Sequence, residues 1–214
     1  MFEALHTTRA AERIRFVPVD LPGFSADPLP KTSLKTLAGF VLEQCRFRRA
    51  RTLVAHSVSS IIASLAARQS NGEISNIVSL EGNLTAEDAY YSGTAADFDD
   101  PIVFRSAFLD RLACMASDPI VAGYRRRVEQ ADPEALWMLG RDAKRFSAKN
   151  HPGDVLQTSA RVLYLYNPVN CSKSSIEWLE ASPLHRQQCE GASHWPTIDQ
   201  SASVAEAIAH FATV

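Results

Sequence analysis

The chain has 214 residues, of which 46% are hydrophobic and 21% are charged, so it is long enough to bury a sizeable core as one globular domain. Its net charge of −2 and pI of about 6.3 give no reason to expect nucleic acid or an anionic membrane as a partner. The four cysteines are far apart and form no C-x-x-C pair, which argues against a disulfide framework or a metal site. With no signal-peptide pattern and no membrane-spanning apolar run, we expect a cytoplasmic protein without metal or cofactor.

Short apolar runs alternate with helical patterns along the chain. The helical patterns fall at 2–12, 33–47, 58–69, 173–181 and in a last segment around Val204. The strand candidates lie between them, at 14–19, 51–55, 74–80, 160–166 and 184–189. This alternation predicts an α/β fold, with a mostly parallel sheet of about five strands and helices on both faces.

The stretch 84–155 interrupts the alternation. It has helical patterns and turn signals such as Asp118-Pro119 and Asp132-Pro133, but no convincing strand. We interpret it as a helical cap inserted between two strands of the sheet. The core then consists of residues 1–83 and 156–214, and the cap of residues 84–155.

The strongest chemical signal is the sequence Ala55-His56-Ser57-Val58-Ser59, which follows a strand and opens a helix. A nucleophile elbow needs this order, because the serine must sit on a tight turn with small residues two positions before and after it. The backbone N–H of Val58 would then face a developing oxyanion at the start of the helix. The alternative interpretation is that Ser57 only caps a helix after a strand.

Four segments, in this order, resemble the cap-bearing members of the α/β-hydrolase family. They are Asp20-Leu-Pro-Gly-Phe24, Val54-Ala-His-Ser57, Leu80-Glu-Gly-Asn-Leu-Thr-Ala-Glu-Asp88 and Gly191-Ala-Ser-His194-Trp-Pro. The resemblance covers the whole chain and implies a serine hydrolase acting on a small ester or related acyl substrate. A small molecule is therefore the expected partner.

The same resemblance implies the other triad members, because the family's chain order is nucleophile, acid, histidine. His194, in the loop before the last helix, is the expected base. The acid is expected at Glu81, after the third strand candidate. Asn167 or Asn170, in the loop after the strand candidate 160–166, is an alternative without charge.

Two residues next to the triad are expected to line the substrate pocket. His56 directly precedes the nucleophile, and Trp195 directly follows the base. Neighbouring side chains on an elbow diverge, so His56 is a less suitable base than His194.

One part of the family pattern has no counterpart here, namely the first three strands and the His-Gly loop that gives the second oxyanion donor. Three explanations are open. Met1 is an internal residue of a longer chain, or a partner supplies the strand, or the sheet has closed up and left an impaired enzyme. We expect 14–19 either to pair with 51–55 or to stand apart from it, and unpaired edges to favour self-association. A backbone amide near Gly23 or Phe24 is the alternative second oxyanion donor.

The alternative function is that of a non-catalytic ligand-binding or interaction protein, or of a fragment of a longer enzyme.

Overall fold

The computed structural model describes residues 1–213, and their core is a parallel four-stranded sheet. The strands follow one another across the sheet in chain order, and all three pairings are parallel. They are β1 (Thr52–His56), β2 (Asn76–Leu80), β3 (Arg161–Tyr166) and β4 (His185–Gln188). The predicted α/β class with a parallel sheet is confirmed.

Helices account for most of the remaining chain. They are α1 (Leu34–Arg48), α2 (Ser59–Gln69), α3 (Pro101–Ala113), α4 (Pro119–Gln130), α5 (Pro133–Asn150), α6 (Pro152–Gln157), α7 (Lys173–Ala181), α8 (Pro196–Asp199) and α9 (Ser201–Thr213). Short 3₁₀ turns occupy Glu3–Thr7, Arg9–Glu12, Ala86–Asp88, Ser92–Asp97 and Pro168–Asn170. Among residues 1–213, none of the helices has both the length and the apolar character needed to cross a bilayer.

The central strands are buried on both faces. On β2, Ile77 packs into the cluster formed with α1 and α2, while its neighbour Val78 packs into the cluster formed with α9. On β3, Tyr164 and Leu165 divide between the same two clusters. Successive side chains of a strand point to opposite faces, so near-continuous apolar runs mark strands covered on both sides. Helices on both faces were predicted, and the packing confirms them.

The predicted strand at 14–19 is wrong, because these residues lie outside the sheet in irregular structure. A cavity of about 420 Å³ lies between this segment and β1, so the two do not pair. Pro18 lacks the N–H that a ladder needs, and the apolar spacing of the segment serves packing instead. Ile14 and Phe16 pack against the α9 cluster. The sheet thus has four of the five predicted strands, and β1 is one of its two edge strands.

The helices between β2 and β3 have capped beginnings that the sequence encodes. Asp100, Asp118 and Asp132 each accept a hydrogen bond from a backbone N–H of the first turn, and a proline follows each of them. The aspartate pairs one of the free N–H groups at the helix start, and the proline has no N–H that would need a partner. These helices form a third apolar cluster that includes Phe104 and Trp195. The division into core and cap stays a prediction.

Two glycines inside helices provide a matched test of this packing. A Cβ on Gly39 in α1 would meet no heavy atom within 4 Å, whereas a Cβ on Gly140 in α5 would overlap the Ser92 carbonyl oxygen. We expect Gly39→Ala to raise the free energy of unfolding by about 0.5–1 kcal/mol. Gly140→Ala should lower it by about 1–3 kcal/mol through overpacking. Urea unfolding measures both, and equal effects would contradict the close approach of Ser92 to α5.

Candidate active site

Ser57 lies on a sharp turn between β1 and α2. Its φ of 54° is in the left-handed region, which non-glycine residues rarely adopt. The Ser57 N–H donates to the Leu80 carbonyl oxygen at 3.0 Å, so the turn is held against β2. A strained residue held in place by its surroundings is typical of functional positions, and this conformation fits the nucleophile elbow.

Val58 is the N-cap residue of α2 and directly follows Ser57. Within residues 1–213, its backbone N–H has no acceptor among the turn and loop hydrogen bonds. The first amides of a helix are free to bind an anion and gain from the helix dipole. Val58 is therefore placed as an oxyanion donor would be.

The two amides considered as alternative donors are already engaged. The Gly23 N–H donates to the Ala26 carbonyl at 2.8 Å, and the Phe24 N–H donates to the Leu21 carbonyl at 3.0 Å. Using either for an oxyanion would break a hydrogen bond of the turn. They are poor second donors for that reason.

Glu81 directly follows β2 and faces the His194 loop. One carboxylate oxygen lies 3.2 Å from His194 Nδ1, and the other accepts the Asn167 backbone N–H at 2.7 Å. Only 2% of the Glu81 side chain is exposed, against 15% of that of His194. The expected contact between acid and histidine is present, and its catalytic role stays a prediction.

Asn167 and Asn170 support this arrangement and do not replace Glu81. The Asn170 amide donates to Glu81 at 3.2 Å, and both asparagine amides donate to the Ala192 carbonyl. No hydrogen bond joins either of them to His194 in the described part of the chain. They tie the loop after β3 to the loop that carries His194, a role that the sequence did not reveal.

Gly82 and Tyr164 fix the backbone that carries the acid. A Cβ on Gly82 would overlap the hydroxyls of Ser60 and Ser79, which bond each other at 2.8 Å. The Tyr164 hydroxyl donates to the Gly82 carbonyl at 2.7 Å. Sequence reasoning missed both residues, although a glycine directly after a strand-end carboxylate was a visible signal.

His56 holds the loop of the candidate base. Its Nε2 donates to the His194 carbonyl at 2.6 Å, and the two rings lie 4.7 Å apart. Burial, reinforced by the nearby charge of His194, lowers the pKa of His56 to about 3. The ring is therefore neutral near pH 7 and positions the backbone of the His194 loop.

A cavity of about 260 Å³ joins these residues beneath α4 and α5. Ser57, Val58, His56, His194 and Trp195 all line it. Its remaining wall is largely apolar and aromatic and includes Phe2, Phe24, Tyr91, Tyr124, Leu136 and Leu139. Such a wall favours a substrate with an apolar part next to the serine.

Trp195 links the candidate site to α4. Its ring lies 5.2 Å from that of His194 and 5.3 Å from that of Tyr124 in α4. The Trp195 side chain is buried in the third apolar cluster, together with Phe104. No group of three or more potential metal ligands occurs within residues 1–213.

Comparison with known proteins finds similarity at the level of structure. No protein-family model and no curated protein sequence matches the chain. An esterase structure from Thermogutta terrifontis, with malate bound, aligns over 98% of this chain and 83% of its own, at 16% identity and TM-score 0.71. An enol-lactonase from Burkholderia xenovorans LB400 aligns over 91% and 79%, at 16% identity and TM-score 0.65.

A further solved structure shows how varied the chemistry on this architecture is. The 1H-3-hydroxy-4-oxoquinoline 2,4-dioxygenase aligns over 90% of this chain and 79% of its own, at 16% identity and TM-score 0.69. At such identities the likeness concerns the fold alone. The reaction has to be argued from the site.

The depressed pKa of His56 makes stability depend on pH. In the unfolded chain the pKa of His56 returns to its ordinary value of 6.5. Between about pH 6.5 and pH 3 the unfolded chain therefore binds a proton at His56 that the folded chain does not bind. Stability should fall as pH falls through this window, by about 2 kcal/mol from this residue between pH 7.5 and pH 5. Urea unfolding at both pH values measures the loss.

Two histidine variants serve as test and control. His56→Asn should remove that part of the pH dependence, while His210→Asn, at an exposed site in α9, should retain it. An unchanged pH dependence in His56→Asn would contradict a neutral, buried His56.

Proposed function

We propose that this chain, which has the α/β-hydrolase fold, is a serine hydrolase acting on a small ester or related acyl substrate. Ser57 is the nucleophile, His194 the base and Glu81 the acid. The observation that carries the proposal is the 3.2 Å contact between Glu81 and His194 Nδ1, in a cavity that Ser57 also lines on its left-handed turn. Three separate loops converge there, and their chain order of nucleophile, acid and histidine is that of the resembled family.

In the proposed reaction each group has one task in the first half. The Ser57 hydroxyl oxygen attacks the substrate carbonyl carbon, and its proton passes to His194 Nε2. His194 keeps its other proton on Nδ1, directed at Glu81, which stabilises the imidazolium. The negative charge on the former carbonyl oxygen is met by the Val58 N–H and the start of α2.

The second half regenerates the enzyme. His194 gives its proton to the leaving alcohol, which departs as the tetrahedral intermediate collapses to an acyl–Ser57 ester. A water molecule then attacks that ester, with His194 accepting its proton and returning it to the Ser57 oxygen. The overall change is one ester and one water converted to one acid and one alcohol.

The substrate class rests on the cavity and on the neighbours' printed activities. The apolar and aromatic wall fits a small molecule with an apolar acyl or alcohol part. An esterase and an enol-lactonase share the fold, so open and cyclic esters are both within the proposed range. In this proposal the core, residues 1–83 and 156–214, carries the triad and the insertion 84–155 closes the pocket.

The oxyanion hole is the weak part of the proposed machinery. Val58 offers a free amide, whereas the amides of Gly23 and Phe24 are engaged in their own turn. Losing one of two donors typically costs about 100- to 1000-fold in rate. We expect slow turnover of activated esters by the chain alone.

That observation also favours a second candidate function, a non-catalytic binding or interaction protein that retains the triad residues. The two candidates differ in covalent chemistry. The serine of a hydrolase accepts an acyl or phosphonyl group and expels the leaving group even when turnover is slow, whereas a binding protein leaves Ser57 unmodified.

Labelling by a fluorophosphonate tests the nucleophile. We expect the probe to modify the wild-type chain at Ser57, and Ser57→Ala to abolish the modification. His194→Ala should reduce it almost as far, because triad members act as a unit. Ser25→Ala is the matched control, since Ser25 lines the same cavity and should label normally. Mass spectrometry of the intact protein gives the readout, and labelling that survives Ser57→Ala would refute the assignment.

The acid is tested by removing its charge with little change in shape. Glu81→Gln should lower kcat for an activated ester by roughly 100- to 10,000-fold, because a neutral amide cannot stabilise the imidazolium. Glu177→Gln, at an exposed site on α7, should leave kcat unchanged. Stopped assays with p-nitrophenyl acetate measure both variants, after urea unfolding has shown that they fold. A near-normal Glu81→Gln enzyme would exclude Glu81 as the acid.

A further inference from the structure

Two tyrosine hydroxyls have no task in the proposed reaction, although both residues line the cavity that holds Ser57. Tyr124 lies on α4, and Tyr91 directly precedes the 3₁₀ turn Ser92–Asp97. We call Tyr91 and Tyr124 the cavity tyrosines. They reach the same cavity from two separate segments, so the convergence of their rings is a product of the fold and not of the local sequence.

The hydroxyls of the cavity tyrosines are free. The Tyr164 hydroxyl donates to a backbone carbonyl and that of Tyr166 accepts from a glutamine amide, whereas the cavity tyrosines form no such bond within residues 1–213. The fully buried side-chain atoms without a partner in this part of the chain are Ser147 Oγ and Trp195 Nε1. The hydroxyls of the cavity tyrosines are therefore accessible to a small molecule.

Packing holds both rings in place. Phe108 meets the Tyr91 ring and the Tyr124 ring edge to face, each at 6.3 Å. The Tyr91 ring also lies almost parallel to that of His194, at 6.0 Å. The Tyr124 ring lies 5.3 Å from that of Trp195. Rings that are fixed from several sides lose little freedom when a ligand binds, so their hydroxyls are preorganised.

The two hydroxyls are suited to donate hydrogen bonds. Burial, reinforced by the nearby Tyr91, raises the pKa of Tyr124 to about 12, so its hydroxyl keeps its proton near pH 7. The influence of Tyr91 on this pKa also indicates that the two hydroxyls lie close together. A phenol donates more readily than it accepts, because its lone pairs are delocalised into the ring. The cavity thus contains two neighbouring donors without an acceptor.

The charged groups of the cavity disfavour an anionic ligand. Arg127 and the amino group of Met1 line it, and both already pair with Glu3. Asp20 also lines the cavity and has no ion pair among residues 1–213. A carboxylate on the substrate would have to displace Glu3 and would be repelled by Asp20, so a neutral acceptor fits better.

We propose that the cavity tyrosines determine substrate specificity by donating hydrogen bonds to a neutral oxygen acceptor, such as a ketone, that is separate from the ester attacked by Ser57. The inference rests on the proposed hydrolase function of the same cavity. The rest of the wall is largely apolar, so the acceptor is one polar point on an otherwise apolar acyl chain. A site built around such donors rejects an analogue without the acceptor, because its polar groups then stay unpaired.

Binding is measured first, with the Ser57→Ala variant, which cannot form an acyl enzyme. Phenyl acetoacetate and phenyl levulinate carry a ketone at two distances from the ester, and phenyl butanoate and phenyl pentanoate are their all-carbon analogues. Phenyl hydrogen succinate carries a carboxylate instead. NMR titration gives each Kd. We expect at least one ketone ester to bind about 3- to 10-fold more tightly than its analogue.

Two outcomes of this titration would overturn the proposal. One is the absence of a preference for either ketone ester over its all-carbon analogue. The other is tightest binding of the succinate, which would assign the subsite to an anion.

Variants of the cavity tyrosines locate the donors. Tyr91→Phe and Tyr124→Phe keep the rings and remove the hydroxyls, so each should reduce the ketone preference and the double change should abolish it. Affinity for the all-carbon esters should stay the same. Tyr90→Phe is the matched control, since its ring lies 4.8 Å from that of Tyr91 but the residue does not line the cavity. A preference that survives the double change, or that Tyr90→Phe reduces equally, would contradict the assignment.

Kinetics with Ser57 intact separate this role from catalysis. With p-nitrophenyl esters of the same acids, the double change should lower kcat/KM for the preferred ketone ester about 3- to 10-fold and leave kcat for its all-carbon analogue unchanged. An equal loss of kcat for both esters would mean that the hydroxyls donate to the oxyanion, and the specificity role would be wrong.

The inference and the proposed function fail separately. A chain that binds the ketone esters selectively but hydrolyses none of the esters would disprove the hydrolase and support the role of the cavity tyrosines. A chain that hydrolyses each ketone ester and its analogue with equal kcat/KM, and binds them equally, would support the hydrolase and overturn the inference.

Discussion

The parallel register of β1 and β2 is the constraint on which the candidate site depends. His56 lies opposite Leu80, so the next residues, Ser57 and Glu81, leave the sheet side by side at its carboxyl edge. Both adopt left-handed φ values, 54° and 48°. Their N–H groups donate to neighbouring strands, Ser57 to Leu80 and Glu81 to Leu165, so each turn is held by the strand beside it. A one-residue slip would turn one of these side chains away from the other.

The electrostatic support of the site is uneven, and this shapes the proposed activity. Glu81 is almost wholly buried, and it accepts from the Asn167 backbone and the Asn170 amide besides facing His194. These donors satisfy carboxylate oxygens that burial removes from water. In the proposed reaction the oxyanion, in contrast, would face the amide of Val58 without a second free donor among those considered. The proposed base is therefore better supported by its neighbours than the proposed oxyanion hole.

Local pattern predicted the turn at Ser57, because a strand precedes it and a helix follows it, while Glu81 and His194 were predicted from the resemblance to a family with a known chain order. The predicted strand at 14–19 is wrong for a physical reason. Alternating apolar residues show that a segment packs, but not that a neighbouring strand pairs with it. Gly82 and Tyr164 were missed because their contacts are with residues distant in the chain. A single sequence contains no record of such contacts.

His56 connects the end of β1 to the loop that carries His194. Its backbone is the last residue of β1, directly before the Ser57 turn, and its ring donates to the His194 carbonyl. Burial keeps the pKa of this ring low, so the ring is neutral near pH 7 and offers the donor that the carbonyl needs. The turn that carries Ser57 and the loop that carries His194 are therefore joined by one side chain, and a displacement of either would be felt by the other.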